Sequence, residues 1–226
     1  MKKIVFISLV VLLYADVCLG EDTVWVEPVP ETAYWGVDQL NTEVIFSINH
    51  SDLLDVWGKI PGPGITGGAE IDDKDFTKSK FSLIFKADTI TVGGLELWEN
   101  IFKGEGGLDT AKYPTITFTT KKITKTGEKM QLTGALTMHG VTKDVTLDLD
   151  KPSGITSWEG QRYRAFQGKT VINRQDFGMN WREPEKFTSP IFADEIRIIM
   201  IIEVVNPPMS EAAKGGAPQG PPSQGK

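Results

Sequence analysis

The sequence predicts an all-β domain, an antiparallel barrel or sandwich of about eight strands with one short helix. Two observations predict it. Apolar residues recur with period two through most of the chain, and only Leu95–Lys103 carries the three-and-four spacing of a helix face. The clearest strands lie in Met130–Leu149. There Met130, Leu132, Gly134, Leu136 and Met138 share one face and Gln131, Thr133, Ala135 and Thr137 the other, because side chains alternate along a strand. After His139-Gly140 the alternation resumes with Val145, Leu147 and Leu149, which reads as a hairpin with one apolar face.

The chain begins with Lys2 and Lys3, an apolar run Ile4 to Ala15, and small residues Cys18 and Gly20, the pattern of a cleaved secretory signal over residues 1–20. The run is too short for a membrane span, which needs about 20 apolar residues, and Asp16 interrupts it. Residues 21–33 read as an arm, since Pro28 and Pro30 cannot donate to a sheet ladder. The domain runs from 34 to 205. Its first strand is Glu43–His50, with Val44, Phe46, Ile48 and His50 on one face. Ser51 is placed to cap a helical turn over 51–57, and the proline and glycine run 58–64 is expected to hold no regular structure.

Further strands follow at 65–71, 80–91, 115–123, 162–173 and 194–205, with a bend at 174–178. The last strand is apolar on both faces, Ile196 to Val204 on one and Ile199, Ile201 and Val205 on the other. Cover by the helix or the arm is therefore expected. From 206 to 226 Pro, Gly, Ser and Gln dominate, which predicts a disordered tail.

The full chain carries a net charge of −6; without residues 1–20, whose Lys2, Lys3 and Asp16 sum to +1, it carries −7. Such a surface argues against nucleic acid and anionic membranes as partners. The single cysteine, Cys18, leaves with the signal, so the fold depends on its apolar core. With no thiol left and only His50 and His139, no Cys-His pair or tight metal cluster is written in the sequence, and no catalytic residue, metal or cofactor is assigned.

The polar candidates are few. His50 reads as a histidine packed inside the domain, with contact to a ligand head group as the alternative. His139, at a hairpin turn, is expected to be solvated. Arg174 must be paired if buried, and Asp38, Asp176 or a ligand phosphate could serve. Glu96 and Glu99 read as a solvated helix face. Phe46, Phe81, Phe85, Trp98, Phe102, Phe118 and Phe166 fall on faces that can point to one interior, where periodicity does not separate a filled core from a lined cavity.

Five segments, in order, resemble the YceI-like, polyisoprenoid-binding protein family: Asp38 with Val44-Ile-Phe-Ser-Ile-Asn-His50; Gly58 after Val56-Trp57; Lys112-Tyr-Pro-Thr-Ile-Thr-Phe118; Leu132-Thr-Gly-Ala-Leu-Thr-Met-His-Gly-Val-Thr142; and Ile172-Asn-Arg-Gln-Asp-Phe-Gly-Met179. The resemblance covers about Tyr34 to Val205 and implies a lipocalin-like barrel whose pore takes the tail of a polyprenyl phosphate or isoprenoid quinone. It implies a cavity lined by those seven aromatic residues with Ile48, Ile116, Leu132 and Leu136; for His50 and Arg174 the structural reading, packing and an ion pair, is favoured, with contact to a ligand head group as the alternative. The segment Gly94–Phe102 departs from the family's usual pattern, with Asn100 near the position of a family histidine. The expected protein is a periplasmic or secreted lipid carrier, neither an enzyme nor an integral membrane protein, with homodimerisation left open. Two other readings remain: a barrel enzyme acting on a lipid through His50, Arg174 and Asp176, or an interaction protein using its tail with Trp57 or Trp181.

Overall fold

The computed structural model describes residues 32–181 and 191–206. The expected signal over 1–20 and most of the expected arm (21–33) and tail (206–226) lie outside the described residues; the described ends of the last two, Thr32, Ala33 and Asn206, belong to strands. Twelve strands and one α-helix are described: β1 Thr32–Val37, β2 Glu43–His50, β3 Leu54–Pro61, β4 Ile65–Asp72, β5 Lys80–Lys86, β6 Thr91–Val92, α1 Glu96–Lys103, β7 Thr115–Thr126, β8 Lys129–Met138, β9 Val141–Leu149, β10 Thr156–Trp158, β11 Gln161–Asn173 and β12 Phe192–Asn206. Every pairing is antiparallel, and the β11–β12 pairing closes the sheet into a barrel in the order β12-β11-β9-β8-β7-β5-β4-β1.

Three of the eight staves are broken. β1 and β2 run in the same direction along one edge of β12, Val37 opposite Val204 and Glu43 opposite Ile201. β3 continues into β4 and β5 into β6 in the same way, because β3 pairs β2 and β6 while β4 pairs β1 and β5. The breaks lie side by side. A β-carbon at Gly62 would overlap the carbonyl oxygen of Gln39 and one at Gly64 would overlap the Thr89 hydroxyl, so these positions need glycine for close approach. Above the breaks, among the described residues, β6 and β7 do not pair, and α1 fills that seam with Phe102 buried at 3% exposure.

Two expectations for this region are corrected. Residues 54–57 are strand, not helix: Ser51 and Asp52 adopt φ of 54° and 57°, which turns the chain so that Leu54 pairs His50. Gly58–Pro61 also belong to the ladder, because a glycine at 58 admits the Phe46 ring lying over it. Pro61 stands at the end of β3, where a proline is tolerated. The His139-Gly140 turn has φ of 51° and 75°, the two-residue connection that matches strand twist. Outside this hairpin, Thr133 bonds Thr146 (2.9 Å) and Thr137 bonds Thr142 (2.8 Å), tying β8 to β9. On α1 the buried side is Phe102 with Trp98 and Ile101 packed against the core, while Leu95 is exposed; Glu99 pairs Lys103 at 3.1 Å, one turn apart on the outer side.

The core is the barrel interior. The second face of β12 is covered in part: Val205 is fully buried and Ile199 and Ile201 are half-buried. Beside it, at the break between β1 and β2, Asp38 accepts from Leu40 N and Asn41 Nδ2 (2.9 and 3.0 Å), and Asn41 also donates to Glu203 (3.2 Å). Burial first, then hydrogen bonding to Asp38 and the Asp38 charge, push the Glu203 carboxyl up to about 7, with Asn41 opposing. From its ordinary value of 4.5 up to about 7 the folded chain holds a proton the unfolded chain releases, so stability falls as pH rises through that window and is flat above it. Glu203→Gln should remove this slope. Thermal denaturation is expected to show the variant melting a few degrees (~2–4 °C) above the parent at about pH 8 and level with it at about pH 4.

Candidate ligand-binding site

Among the described residues, inward-facing side chains bound two cavities inside the barrel. The larger, about 100 Å³, is walled by Val44, Phe46, Ile60, Phe85, Ile116, Leu136, Met138, Val145, Ile172, Ile196 and Ile198, with Phe102 and Trp181 over it. The smaller, about 30 Å³, lies toward the opposite end among Phe81, Leu83, Leu132, Leu149, Phe166, Gly168 and Ile202. Phe118, Leu147 and Met200 line both, and no polar atom is exposed to either. From Ile202 to Ile196 this lining follows β12 for about 20 Å at the rise of a strand.

The end near α1 is roofed by aromatic rings. Phe102 meets Phe46, Trp181 and Phe192 at 5.6, 5.1 and 5.4 Å between centroids, and Trp98 meets Phe192 at 5.5 Å. The Trp181 indole is held in place by donating to Ile101 O at 3.1 Å. His50 lies under this roof, edge-on to Trp98 (5.2 Å) and tilted against Phe192 (5.7 Å), a packing position. Ile48 is fully buried beside it; neither Ile48 nor Trp98 borders either of these two cavities. The other named apolar residues, Phe46, Phe81, Phe85, Phe102, Ile116, Phe118, Leu132, Leu136 and Phe166, all do.

Arg174 is 4% exposed and its ion-pair partner is Asp194 at 3.0 Å, not Asp38 or Asp176. Its remaining N–H groups donate to Met179 O, Ala193 O and Phe192 O at 2.8, 3.0 and 3.3 Å, and the guanidinium lies 5.0 Å from the Trp181 ring centroid. Asp38 is occupied at the β1–β2 break and Asp176 is exposed. The expectation of a solvated His139 is corrected as well: its Nδ1 lies 2.9 Å from Phe177 O and its ring is edge-on to Tyr113 at 4.9 Å, so the turn is pinned to the chain after β11. Among the described residues no group of three or more His, Cys, Asp or Glu side chains is placed to hold a metal, and no helix is long and apolar enough to cross a membrane.

The opposite end carries polar groups that sequence reasoning did not single out. Arg162 and Arg164 share the inward face of β11 with Phe166, and both reach Asp73 in the β4–β5 connection, at 3.5 and 3.0 Å. The signal was available: two arginines in step with the apolar face of a barrel strand are out of place unless something pairs them.

The model of the YceI-like domain matches residues 35–204. The chain belongs to the YceI-like family. It is 31% identical over 137 residues to the YceI protein of Escherichia coli O157:H7, an alignment covering 60% of this chain and 70% of that one. Its fold is similar to that of BcnA from Burkholderia cenocepacia, with a TM-score of 0.62 at 20% identity over 74% of this chain and 98% of that one. It is also similar to a polyisoprenoid-binding domain from Saccharophagus degradans implicated in plant cell wall breakdown, with a TM-score of 0.52 at 14% identity over 75% and 97% of the two chains. At these identities the two structural likenesses carry the fold alone. The chain thus folds as a closed YceI-like barrel whose two described cavities expose no polar atom.

Proposed function

We propose that this YceI-like protein sequesters or carries an isoprenoid lipid, a polyprenyl phosphate or an isoprenoid quinone, inside its barrel, working in the periplasm or outside the cell. The observation that carries the proposal is the interior itself: two cavities in line, joined by a shared wall of Phe118, Leu147 and Met200, with no polar atom exposed to them. Such a lining suits a long, thin hydrocarbon. The likeness to a polyisoprenoid-binding domain points the same way, and the signal pattern over residues 1–20 supports export.

Magnitudes make the tail the main source of affinity. Each buried carbon contributes roughly 0.8 kcal/mol, so ten carbons give roughly 8 kcal/mol against an association cost of about 4–15 kcal/mol, and further units add to the surplus. Affinity should therefore climb with tail length until the lining is used up. Native mass spectrometry of protein purified from its own source is expected to show one bound lipid that organic solvent extracts. Protein that arrives empty and fails to take up geranylgeraniol would end the carrier reading. The barrel-enzyme reading gains little from the geometry, because Arg174 is committed to Asp194 and three carbonyls while His50 packs between rings. Release of a chemically altered lipid on incubation would revive it.

A further inference from the structure

We propose that Arg162 and Arg164 form an anion site at the lower end of the barrel, taking the phosphate or diphosphate head of an isoprenoid lipid whose tail runs past Phe166 into the two cavities. This deepens the carrier reading and rests on it for the tail.

The position follows from register. Arg162 pairs Asn206 and Arg164 pairs Val204, so both stand at the end of the barrel away from α1, on the face that continues into Phe166 and Gly168. Their side chains are only 18% and 15% exposed, and the two cations share one carboxylate, Asp73. Arg164 also donates to Ser153 O at 3.2 Å. Among the described residues neither neighbouring acid contacts either guanidinium: Asp72 turns to Lys74 N and Asp75 N, and Asp75 accepts from Thr77 and pairs Lys78. Two guanidiniums against one carboxylate leave a surplus positive charge in a place poorly reached by water. Burial lowers the Arg164 pKa, Asp73 raises it, and the charge of Arg162 lowers it again, the balance expected of a cation short of counter-charge.

The guanidiniums also pack against rings. Arg162 lies over the Trp35 ring at 5.1 Å, and Arg164 lies over Phe76 and Phe166 at 5.6 and 5.7 Å. Guanidiniums already confined by such contacts lose little further freedom when they meet a tetrahedral oxyanion. Beneath Arg162, Trp35 is fully buried and, among the described residues, its indole N–H has no hydrogen-bond partner. A buried donor without an acceptor is costly, and an oxyanion brings spare acceptors. Phe166 joins the two regions, since its ring lines the smaller cavity and also lies under Arg164. The apolar wall stops where the charge begins. A neutral quinone would leave the surplus charge in place, so the geometry selects an anionic head.

The test uses the full mature chain stripped of lipid, titrated with geranylgeranyl diphosphate, with geranylgeraniol and with inorganic diphosphate, followed by tryptophan fluorescence and calorimetry. The parent should bind the diphosphate lipid about tenfold or more tighter than the alcohol, with the preference shrinking at high salt. In Arg162→Gln/Arg164→Gln that preference should vanish while alcohol binding persists, which also certifies the fold. Asp73→Asn, a change at a partly exposed side chain, should tighten diphosphate-lipid binding several-fold. Equal affinity of the parent for both lipids, or a preference that survives in the double variant, would overturn the anion site and leave the carrier reading standing. Arginine-dependent binding of inorganic diphosphate without binding of either lipid would keep the site and remove the tail. No binding of any of the three would remove both.

Discussion

Arg174→Met is expected to cost this protein about 3–6 kcal/mol and to lower its melting temperature by roughly 10 °C or more. The side chain is nearly isosteric in its stem, so the loss is chiefly polar. Three carbonyls, of Met179, Phe192 and Ala193, lose their donor at once, two of them in bonds that are themselves buried. Each carbonyl left without a partner costs about 1–3 kcal/mol. Asp194, 45% exposed, can be rehydrated and adds little. The damage should also be directional. Arg174 ties the segment after β11 to the start of β12, and Phe192 and Trp181 in that region roof the larger cavity. Thermal melts and hydrogen exchange should show the described residues on either side, Met179 to Trp181 and Ile191 to Ala193, opening first, while exchange at the β8–β9 hairpin stays slow. Arg174→Lys should recover only part of the loss, since an ammonium cannot reach four acceptors that a planar fork meets in fixed directions. A full-strength fold in the methionine variant would show that water replaces the guanidinium without penalty.

The same residue illustrates what a sequence can and cannot disclose. That Arg174 needs a partner follows from its place after an apolar strand; which acid answers does not, because Asp194 lies on another strand and is brought close only by the β11–β12 register. The period-two strands were legible because a half-buried sheet imposes its alternation directly on residue choice. The stretch 51–64 misled for the opposite reason. Ser51 suits a helix cap, but Ser51 and Asp52 take left-handed backbone in a hairpin turn. The glycines and prolines of 58–64 look like punctuation, yet the glycines serve contacts made by distant atoms: the Phe46 ring at Gly58, Gln39 at Gly62 and Thr89 at Gly64. Local propensity does not contain those neighbours.

The lining of the candidate site was legible in part for a related reason. Residues that line the cavities announce themselves by parity, and nine of the eleven apolar residues named from the sequence border a cavity. Ile48 and Trp98 instead build the layer under and within the roof, where a wide side chain closes space that parity alone would leave open. No periodicity tells a lined space from a filled one, since that depends on whether opposite walls interlock. Arg162 and Arg164 were visible as charges in step with Phe166, but the surplus appears only once Asp73 is seen to serve both.

Gly168→Leu should separate the two cavities and cut affinity for long tails about 100-fold, while leaving short apolar ligands nearly unaffected. Gly168 borders the smaller cavity and presents no side chain to it. Its β-carbon would meet Leu149 Cδ2 at 2.9 Å and Leu147 Cδ2 at 3.0 Å, the far ends of flexible side chains that can shift. The remaining carbons of a leucine would then occupy the room that joins the lower end to the shared wall at Leu147 and Met200. Displacing about four tail carbons forfeits roughly 3 kcal/mol at roughly 0.8 kcal/mol per carbon, which is about 100-fold in affinity. Crowding against Leu147 and Leu149 costs about 1–3 kcal/mol of folding stability, so the melting temperature must be measured beside the binding. The comparison that decides is between tails of different length on one folded variant. Loss confined to long tails fits a single hydrocarbon threading both chambers. Equal weakening of short and long ligands would place binding in the larger chamber alone and leave the lower one as ordinary packing space.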